Sequence, residues 1–145
     1  MKKEPLFSYD PETGEASCLI EDKDGNIIYG IAKCHPDDMD MASEKTGCDF
    51  AYRRAYVKVL QAYKKELKTE LRALNQLYYS MNKSKHFNPK SYENKMLQRQ
   101  IRQKQEDIQY INDSIENAKK ELRYIIKEKD KFYQGIRKHR NEVKN

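Results

Sequence analysis

Three features of the sequence predict an α+β fold, a short N-terminal antiparallel β-hairpin or sheet followed by a long, coiled-coil-like antiparallel helical hairpin. Asp24-Gly25 stands between two short apolar runs, a hairpin signal because the turn needs positive φ and glycine supplies it without steric cost. Downstream, apolar residues recur at alternating three- and four-residue steps through two long stretches, the pattern of a helical seam. Between those stretches, Asn88-Pro89 reads as an N-cap followed by a first helical position, so one helix ends and another begins there. The expected layout is a single domain, with sheet and junction loop over 1–45, first helix over 46–82, loop over 83–90 and second helix over 91–143.

The opening residues are broken by Pro5, Pro11 and Gly14, so at most residues 6–9 add a short edge strand. Strands are expected at 16–21 and 26–34. In the second, Ile27, Tyr29 and Ile31 fall on one face and Ile28, Gly30, Ala32 and Cys34 on the other, so both faces are apolar. A lone two-stranded ribbon is marginal in water, and this one therefore needs cover on each side: its own helices, a further strand or a second protomer. Gly30 and Ala32 leave room for a helix or ligand to approach closely.

The first helix is expected to start at Thr46, with Asp49 three positions on completing a variant capping box. Its seam is Phe50, Val57, Leu60, Leu67, Leu71, Leu74, Tyr78 and Met81, interrupted by Arg53 and Lys64. A second row of Ala51, Ala55 and Ala62 suits close packing on the hairpin. Lys83, Lys85 and His86 suit a helix C-terminus, and Ser91 rivals Asn88 as cap of the second helix. That helix carries the stripe Leu97, Ile101, Ile108, Ile111, Ile115, Ala118, Leu122, Ile125, Phe132 and Ile136, interrupted by Lys104 and Lys129. At 1.5 Å per residue the second helix is about 75 Å long against about 54 Å for the first, so its last turns overhang the first helix's start. Phe132, Tyr133 and Ile136 argue that the overhang meets the hairpin or another subunit rather than solvent alone.

Composition narrows the classes. A chain of 145 residues with 37% hydrophobic residues and mean hydropathy −1.10 has little apolar material to spare, which favours an elongated or oligomeric body. The net charge of +6 hides an asymmetry: residues 1–49 hold 5 Lys/Arg against 12 Asp/Glu, net −7, and residues 50–145 hold 24 against 11, net +13. A basic helical half suits nucleic acid, an anionic metabolite or an acidic sister subunit, and equally a solvated lysine-rich face. Cys18, Cys34 and Cys48 are odd in number and lack CxxC spacing, which points to a reducing cytoplasm rather than a disulfide framework. No signal peptide opens the chain and no apolar run approaches about 20 residues, so a soluble, non-membrane protein is expected.

Enzyme signatures are missing: there is no nucleophile elbow, P-loop, G-x-G-x-x-G or H-E-x-x-H. Cys34-His35 with Cys48 lacks a fourth metal ligand, and Asp37, Asp38 and Asp40 lack the spacing and central glycine of an EF-hand, so neither metal nor cofactor is expected. Arg53 and Arg54 are more informative. A guanidinium one turn into a helix sits near its positive end, where it adds to the backbone donors in holding phosphate. The competing reading pairs Arg53 with Asp37, Asp38, Glu128 or Asp130. Tyr52, Tyr56 and Tyr63 lie off the seam, free to pack on a partner or a planar ring.

The segment A-K-C-H-P-D-D-x-D, followed by S-E-x-T-G and A-x-x-R-A, over 32–40, 43–47 and 51–55, resembles small bacteriophage proteins of the first Thoeris anti-defence family. The resemblance implies a sponge. It would sequester a cyclic ADP-ribose isomer made by an immune Toll/interleukin-receptor-domain enzyme in the host cytoplasm, unhydrolysed, between protomers of a dimer that assembles to a hexamer. Some members also hold cyclic oligonucleotides at separate sites. Of the ligand contacts only Arg54, within A-x-x-R-A, is carried over by the match.

A pyrophosphate-linked cyclic nucleotide needs arginines, a stacking ring and a polar group for ribose, for which the candidates are His35, Arg53, Arg54, Tyr56, Phe87 and Arg137. The expectation is thus a non-enzymatic sequestering protein. A basic helical nucleic-acid-binding protein and a ligand-free coiled-coil scaffold are the alternatives.

Overall fold

The computed structural model describes the backbone over 4–34, 43–83 and 88–144, with the side chains of those residues except at 137 and 140–144. The elements are β1 (Leu6–Asp10), β2 (Glu15–Glu21), β3 (Ile27–Lys33), α1 (Glu44–Asn82) and α2 (Tyr92–Lys144). The fold is α+β, a three-stranded antiparallel sheet in the order β1-β2-β3 ahead of a helical hairpin. No described helix is long and apolar enough to cross a membrane.

The β2–β3 turn is built around Asp22. Its Oδ1 accepts the N–H groups of Asp24 at 2.9 Å and Asn26 at 2.8 Å, and Gly25 takes φ +82°. Desolvation opposes these bonds, yet the Asn26 and Asp24 donors hold the Asp22 carboxyl below its ordinary value. Register then places Phe7 opposite Cys18, Tyr9 opposite Ala16, Ala16 opposite Ala32 and Cys18 opposite Gly30, so these residues share one face. The first strand, β1, reaches Asp10, one residue beyond the expected edge strand.

The chain forms two compact units, residues Met1–Val59 with Glu116–Asn145, and residues Leu60–Ile115. In the first, α1 lies on the sheet through small residues. Ala16, Cys18, Ala32, Phe50, Ala51 and Ala55 form its core, flanked by Leu122, Ile125 and Ile126 of α2. The approach is so close that a Cβ on Gly30 would stand 2.2 Å from the Ala51 carbonyl oxygen. Ala62, expected in the same small-residue row, is exposed.

In the second unit the helices pair antiparallel around Leu67, Ile111 and Ile115, with Leu60 and Ile108 against them. Tyr78 accepts from Gln98 at 3.2 Å, and Lys104 bonds Glu70, so a charge interrupting the seam meets a carboxylate on the facing helix.

Three local expectations change. Ser43 rather than Thr46 caps α1: its Oγ accepts the Thr46 N–H at 3.4 Å and its carbonyl accepts Gly47 N–H at 2.9 Å, so the helix begins at Glu44. Ser91 rather than Asn88 caps α2, taking Asn94 N–H on Oγ and Lys95 N–H on its carbonyl, while Asn88-Pro89 forms the turn before it. Phe132 is 65% exposed and Tyr133 is buried in its place. Tyr133 lies about three turns past Leu122 at 3.6 residues per turn, whereas a strict 3.5-residue stripe through Ile125 lands on Phe132.

Candidate anion-binding site

A cavity of about 190 Å³ opens where the end of β3, the start of α1 and the C-terminal part of α2 converge in the first unit. The sequence dictates this meeting point. Gly14 ends the β1–β2 turn, and its carbonyl accepts the Cys34 N–H at 3.2 Å, which fastens the end of β3 to that turn. Ser43 starts α1 beside it, so the positive end of the helix and its capping serine line the wall. Lys129, Asp130 and Tyr133 close the far side, and here the overhanging turns of α2 find their cover within the unit.

Among the described lining residues, Lys33, Arg54 and Lys129 stand with one carboxylate, Asp130. Lys129 Nζ stands 4.6 Å from the centroid of the Phe50 ring and 5.2 Å from that of Tyr133, so the lysine that interrupts the α2 stripe rests on two aromatic rings. Cations gathered at a helix start, with aromatic faces beneath one of them, suit a phosphate or diphosphate.

Arg54 is fixed from behind. Its Nη1 donates to the Ile31 carbonyl at 2.7 Å, and one turn on, Lys58 Nζ donates to the Tyr29 carbonyl at 2.8 Å. Four residues of helix rise about 6 Å and two residues of strand about 6.7 Å, so a pair spaced i, i+4 on α1 matches alternate outward carbonyls of an edge strand. These two cations thereby cover the backbone acceptors that an edge would otherwise expose. Arginine carries five N–H donors, so Arg54 keeps others for the cavity.

Arg53 does not line the cavity. It bonds Asp49 at 3.1 Å and Glu121 of α2 at 2.8 Å, acidic partners other than those the sequence suggested. The Glu121 bond, opposed by burial and supplemented by Asp49, raises the guanidinium further above its ordinary value. Tyr56 stacks on Tyr52 with centroids 6.3 Å apart and planes 20° apart, and Tyr52 in turn meets Phe7 at 6.5 Å. That aromatic row is exposed and lies apart from the cavity lining. His35, Phe87 and the Arg137 side chain lie outside the described residues.

Of the six candidates, then, Arg54 alone lines the cavity among the described side chains. Lys33, Lys129 and Tyr133 join it from elements that the sequence could not bring together. A faint signal existed for Lys129, a charge inside an apolar stripe, which calls for a partner. Among the described residues no group of three or more His, Cys, Asp or Glu is placed to hold a metal ion, and Cys18, Cys34 and Cys48 form no disulfide. Searches of protein-family models, curated proteins and solved structures return no match to this chain.

Proposed function

We propose that the chain is a non-enzymatic nucleotide-sequestering protein that holds the diphosphate of a cyclic ADP-ribose-type signal against Arg54, Lys33 and Lys129, and so silences Thoeris immunity in the cytoplasm of a phage-infected cell. The observation that carries this reading is the cavity itself, whose described lining residues bring three cations and one carboxylate beside a serine-capped helix start. The reading requires only binding. A cavity of about 190 Å³ accommodates a diphosphate but falls below the roughly 300 Å³ at which pockets for whole small molecules begin. The rest of the ligand is therefore covered by a second protomer, in keeping with the resemblance to the first Thoeris anti-defence family.

The test is capture and release. Purified protein is incubated with cyclic ADP-ribose isomers, separated from free ligand and heat-denatured, and the supernatant is analysed. Intact ligand in the supernatant supports sequestration, and recovery of a cleaved product places the protein among hydrolases instead. Arg54→Lys should lose most of the binding while melting near the parent, because a compact ammonium lacks the planar fork that donates to the Ile31 carbonyl on one side and presents paired N–H groups to a phosphate on the other.

A second reading is favoured by the second unit, where residues 60–115 hold 11 Lys/Arg against 6 Asp/Glu and expose Tyr79, Tyr92 and Tyr110. Basic surface with aromatic rings suits single-stranded nucleic acid. A mobility shift with generic oligonucleotides that collapses between low and moderate salt would favour it, since counterion release dominates such binding.

A further inference from the structure

The two edges of the sheet differ. At β3 the outward carbonyls of Tyr29 and Ile31 accept from Lys58 and Arg54, so that edge is occupied. At β1 the parity of the ladder fixes which backbone groups face out. Because the Ile31 carbonyl points away from β2, Ser17 opposite it must turn its own groups toward β1, where it pairs with Ser8. Phe7 and Tyr9 therefore direct their N–H and C=O groups outward, and among the described residues nothing bonds them.

An aromatic wall stands beside this open edge. Phe7 meets Tyr52 with ring centroids 6.5 Å apart, Tyr52 stacks on Tyr56 at 6.3 Å, and all three rings are exposed. The row follows β1. A Cβ on Gly47 would stand 3.7 Å from the Tyr9 ring, and Tyr52 lies by Phe7, so α1 runs antiparallel to β1 and Tyr56, one turn on, continues toward the start of the strand. Alternate side chains of a strand stand about 6.7 Å apart, close to the spacing of these rings. Residues i and i+2 of a strand added to β1 thus meet successive rings.

Charge supplies the rest of the partner's chemistry. Residues 4–34, the strands with their turns, hold 2 Lys/Arg against 7 Asp/Glu. The sheet face turned away from the rings carries Asp10, Glu15 and Glu21, while Lys33 of that face lies at the far edge. We propose that the β1 edge docks an extended segment of another protein, one that alternates apolar residues with Lys or Arg and joins the sheet as a fourth strand. Its backbone pairs with Phe7 and Tyr9, its apolar side chains pack along Phe7, Tyr52 and Tyr56, and its cations fall on the carboxylate-bearing face. None of Phe7, Tyr9, Tyr52 and Tyr56 lines the cavity, so this docking is independent of nucleotide binding.

Fluorescence anisotropy tests this with the full chain and a labelled Lys-Val-Lys-Val-Lys-Val-Lys peptide, over about 1 to 500 µM protein to reach the weak affinity of a short disordered segment. Saturable binding is expected. Edge pairing turns only alternate peptide amides toward β1, so N-methylation of one alternate set should weaken binding at least about 10-fold, and of the other set should leave it unchanged. Replacing the peptide's lysines by glutamates should weaken it by a similar factor. On the protein, Phe7→Pro removes one outward N–H and one ring while leaving the β1–β2 ladder whole, and should abolish the signal. Ser8→Ala, on the other face, should leave it unchanged. Should Phe7→Pro lose its far-ultraviolet circular dichroism, the two N-methylated peptides read the same contact on the unaltered protein. Absence of binding, equal binding of the glutamate peptide, equal behaviour of the two N-methylated peptides, a folded Phe7→Pro variant that binds as the parent does, or a Ser8→Ala variant weakened as much would each overturn the proposal. So would a second copy that takes the edge, seen as release of peptide when the protein dimerises in sedimentation velocity.

Discussion

Replacing Gly30 by alanine adds one methyl group where the sheet and α1 nearly touch. The new Cβ would stand 2.2 Å from the Ala51 carbonyl oxygen, 2.5 Å from the Ala55 nitrogen and 3.1 Å from the Ala55 Cα. All three obstacles are backbone atoms, so no side-chain rotation relieves the clash and β3 must move from α1 by about 1 Å, a gap that forfeits a quarter to a half of each dispersion contact across it. Contacts weakened include those of Ala16, Cys18 and Ala32 with Ala51 and Ala55, the core of the unit. Overpacking of this kind costs about 1–3 kcal/mol, and a backbone obstacle places it at the upper end. Since Gly30 does not use positive φ, alanine also lowers the entropy of the unfolded chain, which returns about 0.4–1 kcal/mol. The net expectation is about 2–3 kcal/mol of destabilisation.

Urea unfolding followed by circular dichroism reads this directly, as a midpoint lowered by about 1 M at the slopes usual for small proteins. Gly135→Ala is the matched control. Nothing lies within 4 Å of the position a Cβ would take there, and the residue is exposed inside α2, so the same substitution should stabilise by about 1 kcal/mol. Opposite signs from one chemical change isolate the close approach as the cause. A Gly30→Ala variant within about 0.5 kcal/mol of the parent, the usual scatter of surface substitutions, would refute the packing argument.

In the second unit, Leu67→Ala should cost about 2–5 kcal/mol, read by urea unfolding, because Leu67 is 3% exposed at the centre of the helix pair. Glu121→Gln should cost less than about 1 kcal/mol in the same assay, since the side chains of Arg53 and Glu121 are 30% and 60% exposed and water screens the pair. The Asp22 carboxyl is held below its ordinary value, so its contribution is present above the unfolded value and lost as pH falls through the lower folded one. Acid titration of Asp22→Asn beside the parent should show the two melting curves converge at the acid end. Cys18 should alkylate slowest of the described thiols, since burial and then the neighbouring Cys48 raise its ordinary value, whereas Cys34, which lines the cavity, should be protected by bound ligand. Mass spectrometry of maleimide-treated protein, with and without the cyclic nucleotide, checks both.

Local chemistry carried much of the fold into the sequence. Asp24-Gly25 announced the turn, Gly30 and Ala32 the close approach, and the row Ala51 and Ala55 the helix that makes it. These are properties of a few neighbouring residues. Ser43 was overlooked as a cap because Thr46 and Asp49 offer the same chemistry three residues later, and only the bonds made by Ser43 distinguish them. Tyr133 was named among the residues that call for cover of the overhang but was left out of the stripe in favour of Phe132, since a 3.5-residue stripe and a 3.6-residue helix part company over several turns. The cavity was half legible. Arg54 could be placed near a positive helix end, but Lys33 and Lys129 reach it from β3 and from the far end of α2, about a hundred residues apart in sequence, and no periodicity in either segment reports that meeting.

Arg53 and Arg54 are chemically identical and adjacent, yet about 100° of helical rotation gives them different work. Arg53 turns to Asp49 and to Glu121, two carboxylates that already balance its charge, so a further anion would gain little from it. Arg54 turns to the edge of β3, where among the described residues a carbonyl oxygen, which carries a dipole and no net charge, accepts from it. That contact holds the guanidinium still without neutralising it. A cation held by the fold loses less rotamer freedom when a ligand arrives, which removes one of the costs of binding. The bond that protects an edge strand thus also leaves a fixed positive group at the cavity wall, which is why structural and ligand-binding roles converge on Arg54 and part at Arg53.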